Sequence, residues 1–135
     1  MDDQEARRRF AASPVARLAT ARPDGAPHIV PVTFALDGDL VYTAVDHKPK
    51  RHDRLQRLAN LRQQPRCALL VDHYESDWRQ LWWVRADGQA DIVDEPDPTH
   101  PGLVALARRY APYRNTAPRG PLIIITVGSW VSWAA

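Results

Sequence analysis

Three Asp-Gly pairs constrain what this chain can fold into: Asp24-Gly25, Asp37-Gly38 and Asp87-Gly88. Each sits between runs rich in Val, Ile, Thr or aromatic residues. Asp-Gly in that setting is the strongest short-range hairpin signal, because glycine reaches positive φ without steric cost. Strands are expected at about 15–21, 27–36, 39–45, 66–73, 80–87 and 89–94, with a last one at about 121–132. Three hairpins in 135 residues call for an antiparallel sheet, and seven such strands close most economically as a barrel. The expected fold is mainly β, a β-barrel with flanking helices, in one domain spanning residues 1–135.

Helices are expected at three places. Residues 2–12 carry acids in the first turn and Arg7, Arg8 and Arg9 near the last, which suits the helix macrodipole. Residues 53–63 place Leu55, Leu58, Ala59 and Arg62 on one stripe with Leu61 beside it, and residues 98–110 repeat Leu103, Leu106 and Ala107 at helical spacing. Residues 111–121, with three prolines and a glycine, read as a loop.

Two strands carry more apolar surface than one barrel interior covers. Alternation along Leu81-Trp82-Trp83-Val84-Arg85-Ala86 sends Trp82, Val84 and Ala86 to one face and Leu81, Trp83 and Arg85 to the other. Leu122 to Val127 is apolar on both sides, as strands buried on both faces are. A helix of the same chain or a second copy of it must supply the cover, and a homodimer is the expectation.

Hydrophobic residues at 44% describe a globular chain. A net charge of +2 gives little drive toward nucleic acid. Cys67 stands alone, so no intrachain disulfide can form. The acidic start and the lack of any apolar run near 18 residues argue against a membrane, and a cytoplasmic location is expected. Neither a GxGxxG or P-loop motif nor a Gly-x-Ser-x-Gly elbow occurs. His28, His47, His52, His73 and His100 are dispersed, so no metal is expected. If the chain is an enzyme, a borrowed cofactor must do the chemistry.

One segment suits that role. Lys48, Lys50 and Arg51 place three cations in four residues just ahead of the 53–63 helix, whose unpaired N–H groups also favour an anion, a phosphate best of all. A solvated basic loop is the other reading of the same residues.

The chain resembles the pyridoxamine 5′-phosphate oxidase-like split β-barrel family of flavin and deazaflavin proteins, and within it the actinobacterial coenzyme F420-dependent group. The resemblance is carried in order by Ala16-Arg17-Leu18-Ala19-Thr20, Asp24-Gly25, Pro27 to Phe34, Asp37-Gly38, Val41 to Arg51, Leu58-Ala59-Asn60-Leu61, Pro65 to Asp72 and Leu81 to Gly88. It implies an antiparallel split β-barrel of the FMN-binding kind and a homodimer with cofactor at the interface. The cofactor would be coenzyme F420, alternatively FMN, with its phosphate on Lys48, Lys50 and Arg51. The tricyclic ring would lie along Pro31, Val32, Thr33, Tyr42, Thr43 and Ala44, with Trp83 shaping the pocket beside Trp78 or Trp82 of the other copy.

With Asp37-Gly38 as a two-residue turn, Thr33 would oppose Tyr42 and Pro31 would oppose Ala44. Arg51, Arg54 and Arg57 would offer a basic track for an acidic cofactor tail, and His28 or Tyr42 could donate a proton. The implied activity is hydride transfer between the deazaflavin and a small organic substrate. The alternatives are an FMN-dependent oxidoreductase and a non-catalytic flavin, deazaflavin or haem carrier. The ending Trp130-Val131-Ser132-Trp133 lacks the Arg-Leu-x-Pro of true pyridoxamine phosphate oxidases, so oxidation of a B6 vitamer is not expected.

Overall fold

The computed structural model describes residues 1–45 and 52–135, the side chains of 52–55 excepted. The elements run α1 (Asp3–Ala12), β1 (Ala16–Ala21), β2 (Pro27–Val32), β3 (Ala35–Asp37), β4 (Leu40–Ala44), α2 (His52–Gln63), β5 (Arg66–His73), β6 (Trp82–Val93), α3 (Pro101–Arg109), α4 (Ala111–Asn115) and β7 (Leu122–Ala134). The described strands form one antiparallel sheet in the order β2-β1-β5-β6-β7-β4-β3. Its two edges, β2 and β3, are consecutive pieces of chain joined only by Thr33 and Phe34. The span from Val32 to Ala35 is at most about 11 Å, so the sheet must curl until its edges meet. The result is the expected mainly β barrel with flanking helices, split along the seam between β2 and β3.

Two of the three Asp-Gly pairs make hairpins. Gly25 (φ 87°) turns β1 into β2, its N–H donating to the Arg22 carbonyl at 2.8 Å. Gly38 (φ 60°) turns β3 into β4. There the turn residues are Gly38 and Asp39, since Asp37 pairs with Leu40 and Ala35 with Tyr42. Glycine at the first central position is what a type II′ turn asks for. The register is therefore two residues away from the expected pairing of Thr33 with Tyr42.

Asp87-Gly88 makes no hairpin, because β6 runs straight through it. A Cβ on Gly88 would lie 2.5 Å from the Thr126 carbonyl oxygen, so glycine here allows β7 to approach. Asp87 pairs with Ser129 and Gly88 with Val127, leaving Gly128 as an extra residue on β7. Such a bulge reverses alternation. Ile123, Ile125 and Val127 point inward before it, and Trp130 packs against the same core after it.

The barrel interior joins Leu18, Phe34, Val41, Leu69, Val71, Val84, Ala86 and Ile125, all buried. From α1, Phe10 packs 4.9 Å from the Phe34 ring and 5.1 Å from the Trp130 ring, so Trp130 completes the core. Leu58, Leu61 and Asn60 of α2 are buried, while Ala59 and Arg62 face outward, a rotation from the expected stripe. Asn60 explains it: its amide donates to the Thr20 hydroxyl at 3.0 Å and its carbonyl accepts from Gln56 at 2.7 Å.

Outside the barrel, α3 lays Leu103 and Leu106 over Ala35, Tyr42, Ala44 and Leu122. The second face of β7 near Leu122 is thus covered by a helix of the same chain, not by another copy as expected. Residues 111–115 form the short α4 where a loop was expected.

Candidate functional site

The basic segment lies between two anchored ends. At one, the Val45 N–H donates to the Pro121 carbonyl at 2.9 Å just after β4; at the other, α2 begins at His52. Lys48, Lys50 and Arg51 fall outside the described residues, as does the side chain of Arg54. Arg57 lies one turn further along α2 and is half-buried.

The residues expected along a ring divide into three groups. Val32 belongs to the barrel core, and Thr43 is buried. Tyr42 and Ala44 lie beneath α3, where a Cβ on Gly102 would stand 2.7 Å from the Tyr42 ring. Pro31 is exposed on β2, and Thr33 is half-buried with its hydroxyl 3.1 Å from that of Tyr113. Among these six, side-chain surface open to a ligand is offered by Pro31 and Thr33. They lie on the seam, and the second edge of β2 pairs with no strand among the described residues.

The seam is held by residues that helix spacing did not single out. The Arg109 guanidinium donates to the Phe34 carbonyl at 2.6 Å and to the Ser13 carbonyl. The Tyr110 hydroxyl lies 2.9 Å from the carbonyls of both Pro14 and Phe34 and accepts from the Phe34 N–H at 3.1 Å. Arg108 and Arg109 look in sequence like ordinary last-turn cations; nothing local separates the one that binds the seam.

A cleft of about 430 Å³ opens on the outer face of β2, β1, β5 and β6, within the range of small-molecule sites. Ala19, Ala68 and Leu70 line its floor, with Trp83, Tyr74 and Arg17 around it. Trp83 is half-buried and has the Arg85 guanidinium 6.0 Å from its ring centre. Arg85 is in turn paired with Asp87 at 2.9 Å. Trp133 is placed opposite Trp83 on β7 and is exposed. Alternation along β1 would have flagged Arg17, which stands outward between inward Ala16 and Leu18.

His28 and Tyr42 do not line this cleft. His28 is buried, and its Nδ1 has no hydrogen-bond partner among the described residues. Burial, helped by the charge of Asp37, raises the pKa of the Tyr42 hydroxyl. Burial, and then Asp87, pushes the Cys67 thiol up to about 12, so Cys67 is no nucleophile near neutral pH. Among the described residues no group of His, Cys, Asp or Glu is placed to hold a metal, and no helix is long and apolar enough to cross a membrane.

Comparison with known proteins agrees with this geometry. The family model described as pyridoxamine 5′-phosphate oxidase matches residues 2–134. No curated protein matches. Among solved structures, a conserved hypothetical protein of Mycobacterium tuberculosis is 25% identical, with a TM-score of 0.75 over 99% of this chain and 85% of its own. An FAD-binding protein of Mesorhizobium loti shares 20% identity, with a TM-score of 0.73 over 98% of this chain and 94% of its own. An F420 reductase, 25% identical, gives 0.64 over 91% of this chain and 94% of its own. A match running from the first helix to the last strand, on a barrel split where Thr33 and Phe34 join its edges, places this chain in the pyridoxamine 5′-phosphate oxidase family.

Proposed function

We propose that this chain is an oxidoreductase that binds coenzyme F420 and passes hydride between it and a small organic substrate. The supporting observation is one of placement: Lys48, Lys50 and Arg51 connect the end of β4 to the first turn of the 12-residue α2, close in sequence to the strand that follows the seam. The likeness to an F420 reductase over most of both chains points the same way.

The residues available fit such a cofactor. Three cations suit a phosphate, each charge-assisted hydrogen bond contributing about 1.5–3 kcal/mol. The open edge of β2 leaves backbone groups for the polar rim of a flat ring, and Pro31, lacking an N–H, leaves space beside Thr33. When bound, the deazaflavin supplies a hydride donor or acceptor. The chain's own part is positioning: the cations fix one end of the ligand, the seam orients the ring, and Trp83 walls the pocket against water.

A homodimer is part of this reading, since the outer face carrying Trp83 lacks cover within the described chain. FMN in place of F420 is the second reading, favoured by the likeness in fold to an FAD-binding protein.

Titrating the purified protein with F420 and with FMN tests both. Replacing Lys48, Lys50 and Arg51 together by alanine should weaken binding of the phosphate-bearing cofactor by well over tenfold, on the order of 1.4 kcal/mol for each factor of ten. Unchanged affinity would remove the site. Oxidation of reduced F420 on adding enones or quinones then separates an enzyme from a carrier.

A further inference from the structure

The C-terminal half of α2 is held several times over. The Gln64 N–H donates to the Asn60 carbonyl at 2.8 Å, the Ala90 N–H donates to the Pro65 carbonyl at 2.9 Å, and Arg62 pairs with Asp94. Leu58 and Leu61 are buried in the same half. Toward the N-terminus the hold is of another kind. Asn60 is wholly buried, its amide donating to the Thr20 hydroxyl at 3.0 Å and accepting from Gln56 at 2.7 Å. Thr20 is itself buried near the end of β1. His28 stands opposite it on β2, and the His28 Nδ1 has no partner among the described residues. Among those residues, Thr20 is therefore the barrel's hold on this amide.

A polar row of this kind sets what apolar packing leaves loose. Leucines tolerate a helix turned slightly about its axis, because hydrophobic burial has no direction. An amide seated between two partners does not, since turning α2 either way leaves Asn60 and Thr20 unpaired inside the core. Residues 52, 56 and 60 are spaced four apart and share one face of the helix. The row thus runs from Asn60 through Gln56 toward His52, where α2 begins, about 12 Å away along the axis. The turn of the helix decides where its first N–H groups point. The other end of the connection is fixed by backbone: a Cβ on Gly120 would stand 2.3 Å from the Val45 carbonyl oxygen.

We propose that Asn60, seated by Thr20, is a positioning residue for the phosphate of the bound ligand: it fixes the turn of α2, aims the first N–H groups of that helix, and so decides how much of the ligand's affinity its phosphate supplies. This deepens the function proposed above and rests on the phosphate end of that site.

Paired ligands with and without the phosphate test it. FMN and riboflavin differ by the phosphate alone, and F420 differs from its deazaflavin core by the phosphate and the acidic tail. In the pair that wild type binds more tightly, it should prefer the phosphate-bearing member by about tenfold or more. Thr20→Val keeps the shape and loses the hydroxyl; it should cut that preference by about fivefold while the phosphate-free member binds within about twofold of wild type. Thr20→Ser, which keeps the hydroxyl, should restore the preference. Gln56→Met, at a half-buried position, should cut it by about threefold, and it decides the matter if circular dichroism shows Thr20→Val unfolded. A folded Thr20→Val with the wild-type preference, an equal loss for both ligands, or a serine variant no better than valine would overturn the role of Asn60. So would an unchanged preference in Gln56→Met. A wild type indifferent to the phosphate defeats the proposed phosphate site and this role with it. A preference that is lost on replacing Lys48, Lys50 and Arg51 by alanine, yet untouched by the Thr20 variants, leaves the proposed function standing and defeats this role alone.

Discussion

Gly88 shows how one residue type can mean two things. Beside Asp87 it has the chemistry of a turn, and the same pair at Asp24-Gly25 and a glycine at Gly38 do make turns with positive φ. At Gly88 the missing side chain instead admits the Thr126 carbonyl, 2.5 Å from where a Cβ would stand. Backbone cannot swing aside as a flexible side chain can. Gly88→Ala should therefore cost about 2 kcal/mol or more, read as a lower urea midpoint at unchanged slope. Mild destabilisation, as for an exposed turn glycine, would show that β7 yields at this point. Local sequence made the two true hairpins legible because their geometry is set within four residues. It could not reveal Gly88, whose reason lies on a strand nearly forty residues away.

At the level of elements, strand positions were readable from alternation, whereas what covers each face was not. Leu122 and its neighbours announce burial on both sides, but only the structure shows α3 as the cover. The candidate site divides the same way. Its expected charged end, Lys48, Lys50 and Arg51, is plain in the sequence but lies outside the described residues, while the burial of Tyr42 and Ala44 depends on a helix about sixty residues further on. Asn60 likewise turned α2 away from its apparent stripe through a bond to Thr20 that no periodicity encodes.

The contact between α3 and the seam is the element-level feature most open to test. Arg109 serves carbonyls from two separate connections, Phe34 between β2 and β3 and Ser13 between α1 and β1. Arg109→Ala should lower stability by about 2–3 kcal/mol in urea unfolding. Lysine should rescue little, since a single ammonium does not reproduce a two-pronged donor. Full rescue by lysine would mean that charge alone matters there.

Across the whole molecule, the order of strands in space departs widely from their order in the chain. β7 pairs with β6 on one side and β4 on the other, so among the described residues the β3–β4 hairpin joins the rest of the sheet only through it. A fragment of residues 1–121 keeps α1, α2, α3 and the β1–β2, β5 and β6 ladder, yet loses this bridge. It should show neither cooperative melting nor the dispersed amide spectrum of the full chain, and adding a peptide of residues 122–135 should restore both. A fragment that melts sharply alone would show that the ladder is self-sufficient.

That bridging strand also says something about the chain's birth. A ribosome that has just completed α3 holds a product with apolar strand edges and no means of shutting them. The barrel cannot close while β7 is still threaded in the exit tunnel. Until that strand emerges, anything that masks exposed strands, a chaperone included, guards the product against sticking to its neighbours.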